Sequence, residues 1–260
     1  MAPQLLPKIA TACLELYNDF NTPDSFSVSQ TEVKWVIMIV NARELSRTYQ
    51  RGQERIAALQ SINLEIETGE FVFIVGPSGG GKSTLLHLLG GMDRPSSGHL
   101  SVNGIDLAAA SETQLNRFRR EQVGFVFQFY NLLGTLSALD NVCLPLLAQG
   151  KSAKTARAQA LEMLSLVGLE QRQKHLPAEL SGGEQQRVAI ARAIIAQPAL
   201  ILADEPTGDL DSANAEAIMH LMRALNRQIG STFIIATHNE KITGLGERTF
   251  ELVNGKIEER

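Results

Sequence analysis

Apolar and polar positions fall into a regular order along this chain from about Asn41 onward. The stretch "NARELSRTY" reads as a strand, and in "ALQSINLEIETG" Ile62, Leu64 and Ile66 alternate with polar residues. Such alternation predicts a half-buried antiparallel sheet, whereas the unbroken run in "EFVFIVG" predicts a parallel strand buried on both faces. A helix beginning near Lys82 carries "LLHLLGG" and should stop at Gly90-Gly91. A short strand "HLSVNG" and a polar segment capped at Ser111, "SETQLNRFRRE", lead to the apolar strand "VGFVF" at 123–127. After Gln128 the pattern turns helical, through "SALDNVCLPLLAQG" and "SAKTARAQALEMLSLVGL" as far as Pro177. Strands resume at "ALILADEP" (199–206) and "STFIIATH" (231–238), with the helix "SANAEAIMHLMRALNRQIG" between them. The chain closes on "RTFELVNGKIEER", where Asn254-Gly255 predicts a hairpin turn. Strands alternating with helices give an α/β fold with a mostly parallel core sheet.

Residues 1–37 lack this order. Pro3, Pro7, Pro23 and the polar "NDFNTPDSFSVSQTE" read as a loose N-terminal extension, disordered or not translated, since Met38 stands directly before the patterned domain at 38–260. No apolar segment follows Lys8, so neither a signal peptide nor lipidation at Cys13 is expected.

At 260 residues and 44% hydrophobic content the chain can bury a full core. A net charge of −4 supplies no broad basic field, which argues against a nucleic-acid partner. The longest apolar run, "WVIMIV" at 35–40, is far short of the ~20 residues that span a bilayer as a helix. Any membrane role is therefore borrowed from a partner. Cys13 and Cys143 form no disulfide framework and lack metal-ligand spacing, so free structural thiols in a reducing cytoplasm are expected.

Two glycine turns bring in chemistry. "GPSGGGKST" (76–84) fits G-x-x-x-x-G-K-[ST], follows an apolar strand and opens a helix, the context a phosphate loop requires. Gly76, Pro77, Ser78, Gly79, Gly80, Gly81 and Thr84 are expected to bind the nucleotide, the glycines allowing the backbone to wrap closely around phosphate at the helix N-terminus. Lys82 is expected on the β- and γ-phosphates of ATP and Ser83 on Mg²⁺. "ALILADEP" ends an apolar strand in two carboxylates, Asp204 for the Mg²⁺ shell and Glu205 to activate water for attack on the γ-phosphate. Gln128 and His238 each follow another apolar strand: Gln128 is expected near Mg²⁺ and the attacking water, His238 near the γ-phosphate and Glu205. His87, His99, His175 and His220 sit in helical or turn contexts and are read as structural or solvated. The second turn, in "ELSGGEQQRVAIARA", has no lysine to complete a nucleotide site.

Together these strings resemble the ATP-binding cassette (ABC) ATPases over residues 40–260. "LSGGE" at 180–184 is similar to that family's signature motif, "GPSGGGKST" to its phosphate loop, and "LILADEP" to its Mg²⁺ and base strand. Gln128 corresponds to its Q-loop, "GDLDS" to its D-loop and His238 to its switch histidine; Tyr49 falls where the family stacks an aromatic ring on adenine. The resemblance implies a P-loop NTPase cassette: a mostly parallel core sheet, an antiparallel β subdomain, and a helical signature subdomain at about 129–180. It further implies that two copies pair head to tail, so that Ser181, Gly182, Gly183 and Glu184 of one close over ATP on the other, with Asp211 linking the sites. That would explain the missing lysine: it belongs to the second copy.

"LLHLLGGMDRPSSG", "FVFQFYNLLGTLSALDNVCLPLL" and "LADEPTGDLDS" look like the lipoprotein-release and macrolide-exporter branch of the family. Gly80, where the family often has Ser, and Asp209, where this branch often has Asn, are departures that remove no catalytic group. The branch implies a peripheral ATPase on the cytoplasmic face of the inner membrane, serving integral membrane permease subunits of the LolCE, MacB or FtsX-like type. The alternative is a mechanical ATPase of the cell-division type, whose membrane partner transports nothing. Segment 129–147 would receive a partner's coupling helix, or else its apolar residues Phe129, Leu132, Leu133 and Leu136 are ordinary core of the helical insert.

Overall fold

The computed structural model describes residues 37–260; the expected extension lies, but for Ile37, outside the described residues, and Cys13 with it. In chain order the elements are β1 (Met38–Arg51), β2 (Glu54–Glu67), β3 (Phe71–Val75), α1 (Lys82–Leu89), β4 (Ser97–Val102), β5 (Ile105–Asp106), α2 (Glu112–Gln122) and β6 (Val123–Phe127). There follow α3 (Ala138–Ala148), α4 (Ala153–Leu166), a 3₁₀ turn (Pro177–Glu179), α5 (Gly182–Ile194), β7 (Leu200–Asp204) and α6 (Ser212–Ile229). The last elements are β8 (Thr232–Thr237), a 3₁₀ segment (Glu240–Leu245), β9 (Arg248–Val253) and β10 (Lys256–Glu259).

The strands form two sheets. One is antiparallel in the order β2-β1-β4-β5, and Ile62, Leu64 and Ile66 of β2 point into its core while their neighbours face out. The other runs β10-β9-β3-β8-β7-β6 and is parallel except for the β9–β10 hairpin, which turns on Asn254 and Gly255 with both φ values positive, 51° and 74°. Every residue of β3 and β8 is buried, as continuous apolar runs require.

The two-residue period of β3 divides the core. Val72 and Ile74 pack with α1 and the antiparallel sheet, while Phe71, Phe73 and Val75 pack with α5 and α6 on the opposite face. A third cluster joins α3, α4 and α5 through residues such as Val142, Leu146, Ala160, Leu164 and Val188. Burying about a dozen such side chains, each contributing roughly 1.5–3 kcal/mol, seats the helical insert on α5.

Two local expectations are revised. Residues 128–137 form turns rather than helix; Tyr130 and Asn131 are left-handed (φ 59° and 48°), and helix begins only at Ala138, where Ser137 caps it. His99 lies in strand β4 instead of a helix or turn. Leu132 packs into the insert's core, whereas Phe129 and Leu133 are 71% and 50% exposed. Leu136 is half-buried, so two of the four apolar residues of this segment are exposed and two are not.

Candidate functional site

Register builds the site. Asp204 at the end of β7 lies opposite Phe127 on β6 and Ala236 on β8, and Thr237 lies opposite Val75 on β3. The next residue on each strand, Gly76, Gln128, Glu205 and His238, therefore leaves the sheet along one edge, the carboxyl end where open α/β sheets bind ligands.

At Gly76 and Gly81 the phosphate loop has no room for a side chain. Gly76 has φ 151° and Gly81 φ 106°; a Cβ would stand 2.1 Å from the Leu252 carbonyl oxygen at the first and 2.6 Å from that of Ala58 at the second. Helices α2, α3, α4, α5 and α6 each begin with a Ser or Asp side chain accepting a backbone N–H, but α1 begins at Gly81 with no side-chain cap. Its first N–H groups are thus left to an external anion, and no acidic residue in that turn repels one. Lys82, 7% exposed, donates to the carbonyls of Gly76 at 2.8 Å and Pro77 at 3.2 Å, which holds its ammonium in the cradle.

Ser78, Ser83, Asp204 and Glu205 line the same depression. Hydroxyl and carboxylate oxygens beside a phosphate cradle fit a hard cation such as Mg²⁺. Among the described residues no group of three or more His, Cys, Asp or Glu side chains could hold a metal ion by itself.

Glu205 follows β7 with φ 47°. One carboxylate oxygen is 3.0 Å from His238 Nδ1 and 3.6 Å from Lys82 Nζ; the other accepts from the His238 backbone N–H at 3.3 Å. His238 thus aims the carboxylate twice, through ring and backbone. Gln128 is engaged elsewhere, its amide donating to Asp209 at 3.1 Å, and its side chain packs so close to Gly208 that a Cβ there would be 2.9 Å from it. Tyr49 pairs in register with Ile56, which lines the depression. One face of its ring carries the Arg47 guanidinium at 4.6 Å and its hydroxyl donates to Asp93 at 2.7 Å. The ring is thus fixed by these two contacts.

The signature turn does not line this depression. Ser181 caps α5, its Oγ accepting the Glu184 N–H, while Glu184 Oε2 accepts the Ser181 N–H at 2.8 Å and hydroxyl at 2.9 Å. The other carboxylate oxygen accepts from Arg172 Nε at 2.8 Å. The Ser181 N–H first, then Arg172, hold the Glu184 carboxyl down at about 2. Glu184 is therefore an anion spent within its own subunit, whereas Gly182 and Gly183 keep backbone available. Their lack of side chains is a packing need too: a Cβ on Gly182 would meet Tyr130 Oη at 2.9 Å and one on Gly183 would meet Asn214 Oδ1 at 3.2 Å. Asp211 caps α6, accepting the Asn214 N–H at 2.9 Å and side-chain amide at 2.6 Å, and these bonds lower its carboxyl.

Several partners escaped the sequence reading. Arg172, Asn214 and Tyr130 frame the signature turn, and Arg192 of α5 donates to the carbonyls of Tyr130 and Asn131, clamping the left-handed pair after Gln128. Arg192 had a faint signal, sitting two turns beyond "LSGGE" in a helix otherwise rich in Ala and Ile. The others had none.

Comparison with known proteins settles the kinship. The model of the ABC transporter family matches residues 59–208. This chain belongs to that family. "Lipoprotein-releasing system ATP-binding protein LolD" of Bordetella pertussis is 46% identical over 219 residues, covering 84% of this chain and 95% of that protein. The protein so named in Legionella pneumophila is 44% identical over 220 residues, 85% and 97% of the two chains. Among solved structures, the dimeric post-hydrolysis state of the ATP-binding cassette MJ0796, bound to ADP and Pi, superposes with TM-score 0.79 at 43% identity, covering 85% of this chain and 97% of that one. The cassette fold and the resemblance to the lipoprotein-release branch hold, and the ABC chain is an ATP hydrolase coupled to transport. No helix among the described residues is long and apolar enough to cross a membrane.

Proposed function

We propose that this ABC subunit works as a head-to-tail pair that drives a LolCE-type permease in lipoprotein release, peripherally at the cytoplasmic face of the inner membrane. The supporting observation is the separation of two half-sites: Lys82, Glu205 and His238 converge on one edge, while Ser181–Glu184 lie outside the depression that Lys82 occupies. A signature turn out of reach of its own phosphate loop acquires a purpose when a second copy supplies the other half. The dimers of MJ0796 and the LolD relatives agree with that assembly and that branch.

In this reading the Tyr49 ring holds the base, and the uncapped start of α1 with Lys82 holds the β- and γ-phosphates. Ser83, Asp204 and Gln128, the last once free of Asp209, would hold Mg²⁺, which would neutralise charge on the phosphate oxygens. Glu205, aimed by His238, takes the proton of the attacking water. Ser181 and the two glycines of the opposing copy close on the γ-phosphate, and Asp211 lies at the joint. Phe129 and Leu133 form the face offered to the permease.

Replacing Glu205 with Gln tests the assignment, because an amide keeps the shape of the site but cannot accept the proton. The variant should turn over ATP at least ~10²-fold more slowly and accumulate as an ATP-bound dimer in size-exclusion chromatography. Normal turnover by the variant would remove Glu205 from the base role.

A further inference from the structure

We infer that Arg172 is a positioning residue for the signature turn, compensating and orienting Glu184 so that Ser181, Gly182 and Gly183 can receive the opposing copy's γ-phosphate. The inference rests on the composite-site reading above and concerns a residue that touches no nucleotide.

The turn has a charge problem. Glu184 sits one helical turn from Ser181 and is ionised throughout the working pH range, its carboxyl held at about 2 by the Ser181 N–H and by Arg172. A bare carboxylate beside the point where a phosphate must arrive repels it, and protonation offers no relief. The side chains that hem the glycines, Tyr130, Leu210 and Asn214, carry no positive charge. Arg172 does: its Nε lies 2.8 Å from Glu184 Oε1, on the oxygen that Ser181 does not use.

The Ser181 hydroxyl adds a geometric requirement. It has one proton, which it donates to Glu184 Oε2 at 2.9 Å. To bind phosphate it must redirect that proton, after which Glu184 keeps the Ser181 N–H at 2.8 Å and Arg172 as its partners. Arg172 thereby lets the hydroxyl leave without stranding the carboxylate. A residue twelve positions away in the loop after α4 thus sets the charge of a turn whose motif does not include it.

The test uses full-length chain carrying Glu205→Gln, so that ATP-driven pairing is read without turnover. Adding Arg172→Gln should leave binding of a fluorescent ATP analogue to the dilute monomer unchanged and weaken MgATP-dependent dimerisation about tenfold in sedimentation velocity. Adding Glu184→Gln to that variant should restore dimerisation to within about threefold, because the uncompensated charge is gone; Arg172→Lys should retain most of it. A merely structural arginine would not be rescued by neutralising its partner. Unchanged dimerisation with Arg172→Gln, or a loss that Glu184→Gln leaves unrepaired, overturns the role. If the Glu205→Gln parent itself stays monomeric with MgATP yet binds the analogue, head-to-tail pairing fails and the role falls with it.

Discussion

Glu184 shows how far a single side chain can be pulled from its ordinary chemistry by three hydrogen-bond donors on two residues. Its carboxyl lies at about 2 against an ordinary 4.5, chiefly because the Ser181 N–H and then Arg172 bind the charged form. A depressed carboxyl contributes stability in full above the unfolded value near 4.5, and that contribution is lost as pH falls toward 2. The start of α5 should consequently loosen progressively as pH falls from 4.5 to about 2. Carbon-detected NMR titration of the Glu184 side chain should give a midpoint near 2, moving up toward 4.5 in Arg172→Gln. A wild-type midpoint at the ordinary value would show that the reciprocal cap does not form in solution. The neighbouring Tyr130 phenol is shifted the other way, by burial and then by the Asp209 charge, and stays a neutral hydrogen-bond group beside Gly182.

Elements were legible where their cause is local. The cap at Ser111, the stop at Gly90, the Asn254-Gly255 hairpin and the alternation of β2 depend on residues a few positions apart, and each appears where the pattern places it. The strand-end site was legible for a related reason: an apolar run that stops at a polar residue marks a sheet edge, and Gln128, Glu205 and His238 all stand at such stops. The segment 128–137 misleads because its order comes from afar. Asn141, wholly buried on α3, accepts the Leu133 N–H at 2.8 Å and donates to the carbonyls of Leu133, Leu136 and Ser137 at 3.1 Å each, while Arg192 holds Tyr130 and Asn131. No periodicity announces an amide that substitutes for absent helix. Replacing Asn141 with Leu, close in size, would strand the Leu133 N–H and the Leu136 carbonyl, whereas the Leu133 and Ser137 carbonyls keep the Leu136 and Asn141 backbone N–H groups; it should cost about 2–3 kcal/mol in urea unfolding, with protease cleavage appearing between 129 and 137. Unchanged stability would mean water serves those groups equally well.

For the whole molecule, coupling depends on which surfaces are left when the core is complete. The order of strands in both sheets and the distance between the two glycine turns arise from long-range packing, so no window of sequence displays them. Once they are fixed, the nucleotide edge lies along the ends of β3, β6, β7 and β8, and the helical insert presents Phe129 and Leu133 outward from the loop that follows β6. That loop carries Gln128 at one end and the backbone N–H anchored by Asn141 at the other, the short path by which, on the proposed function, a load on the exposed leucine would reach the site. Leu133→Asp places a charge on this apolar face without entering the core, since Leu132, its half-buried neighbour, keeps its packing. The variant should fold with an unchanged melting profile and retain ATP-driven pairing. With the permease in vesicles it should lose at least ~10-fold of the partner-stimulated ATPase, the loss expected when an apolar anchor at an interface is replaced by a desolvated charge. If stimulation survives, the permease docks elsewhere; if ATP binding is lost too, Leu133 belongs to the nucleotide site's support and not to a surface for a partner.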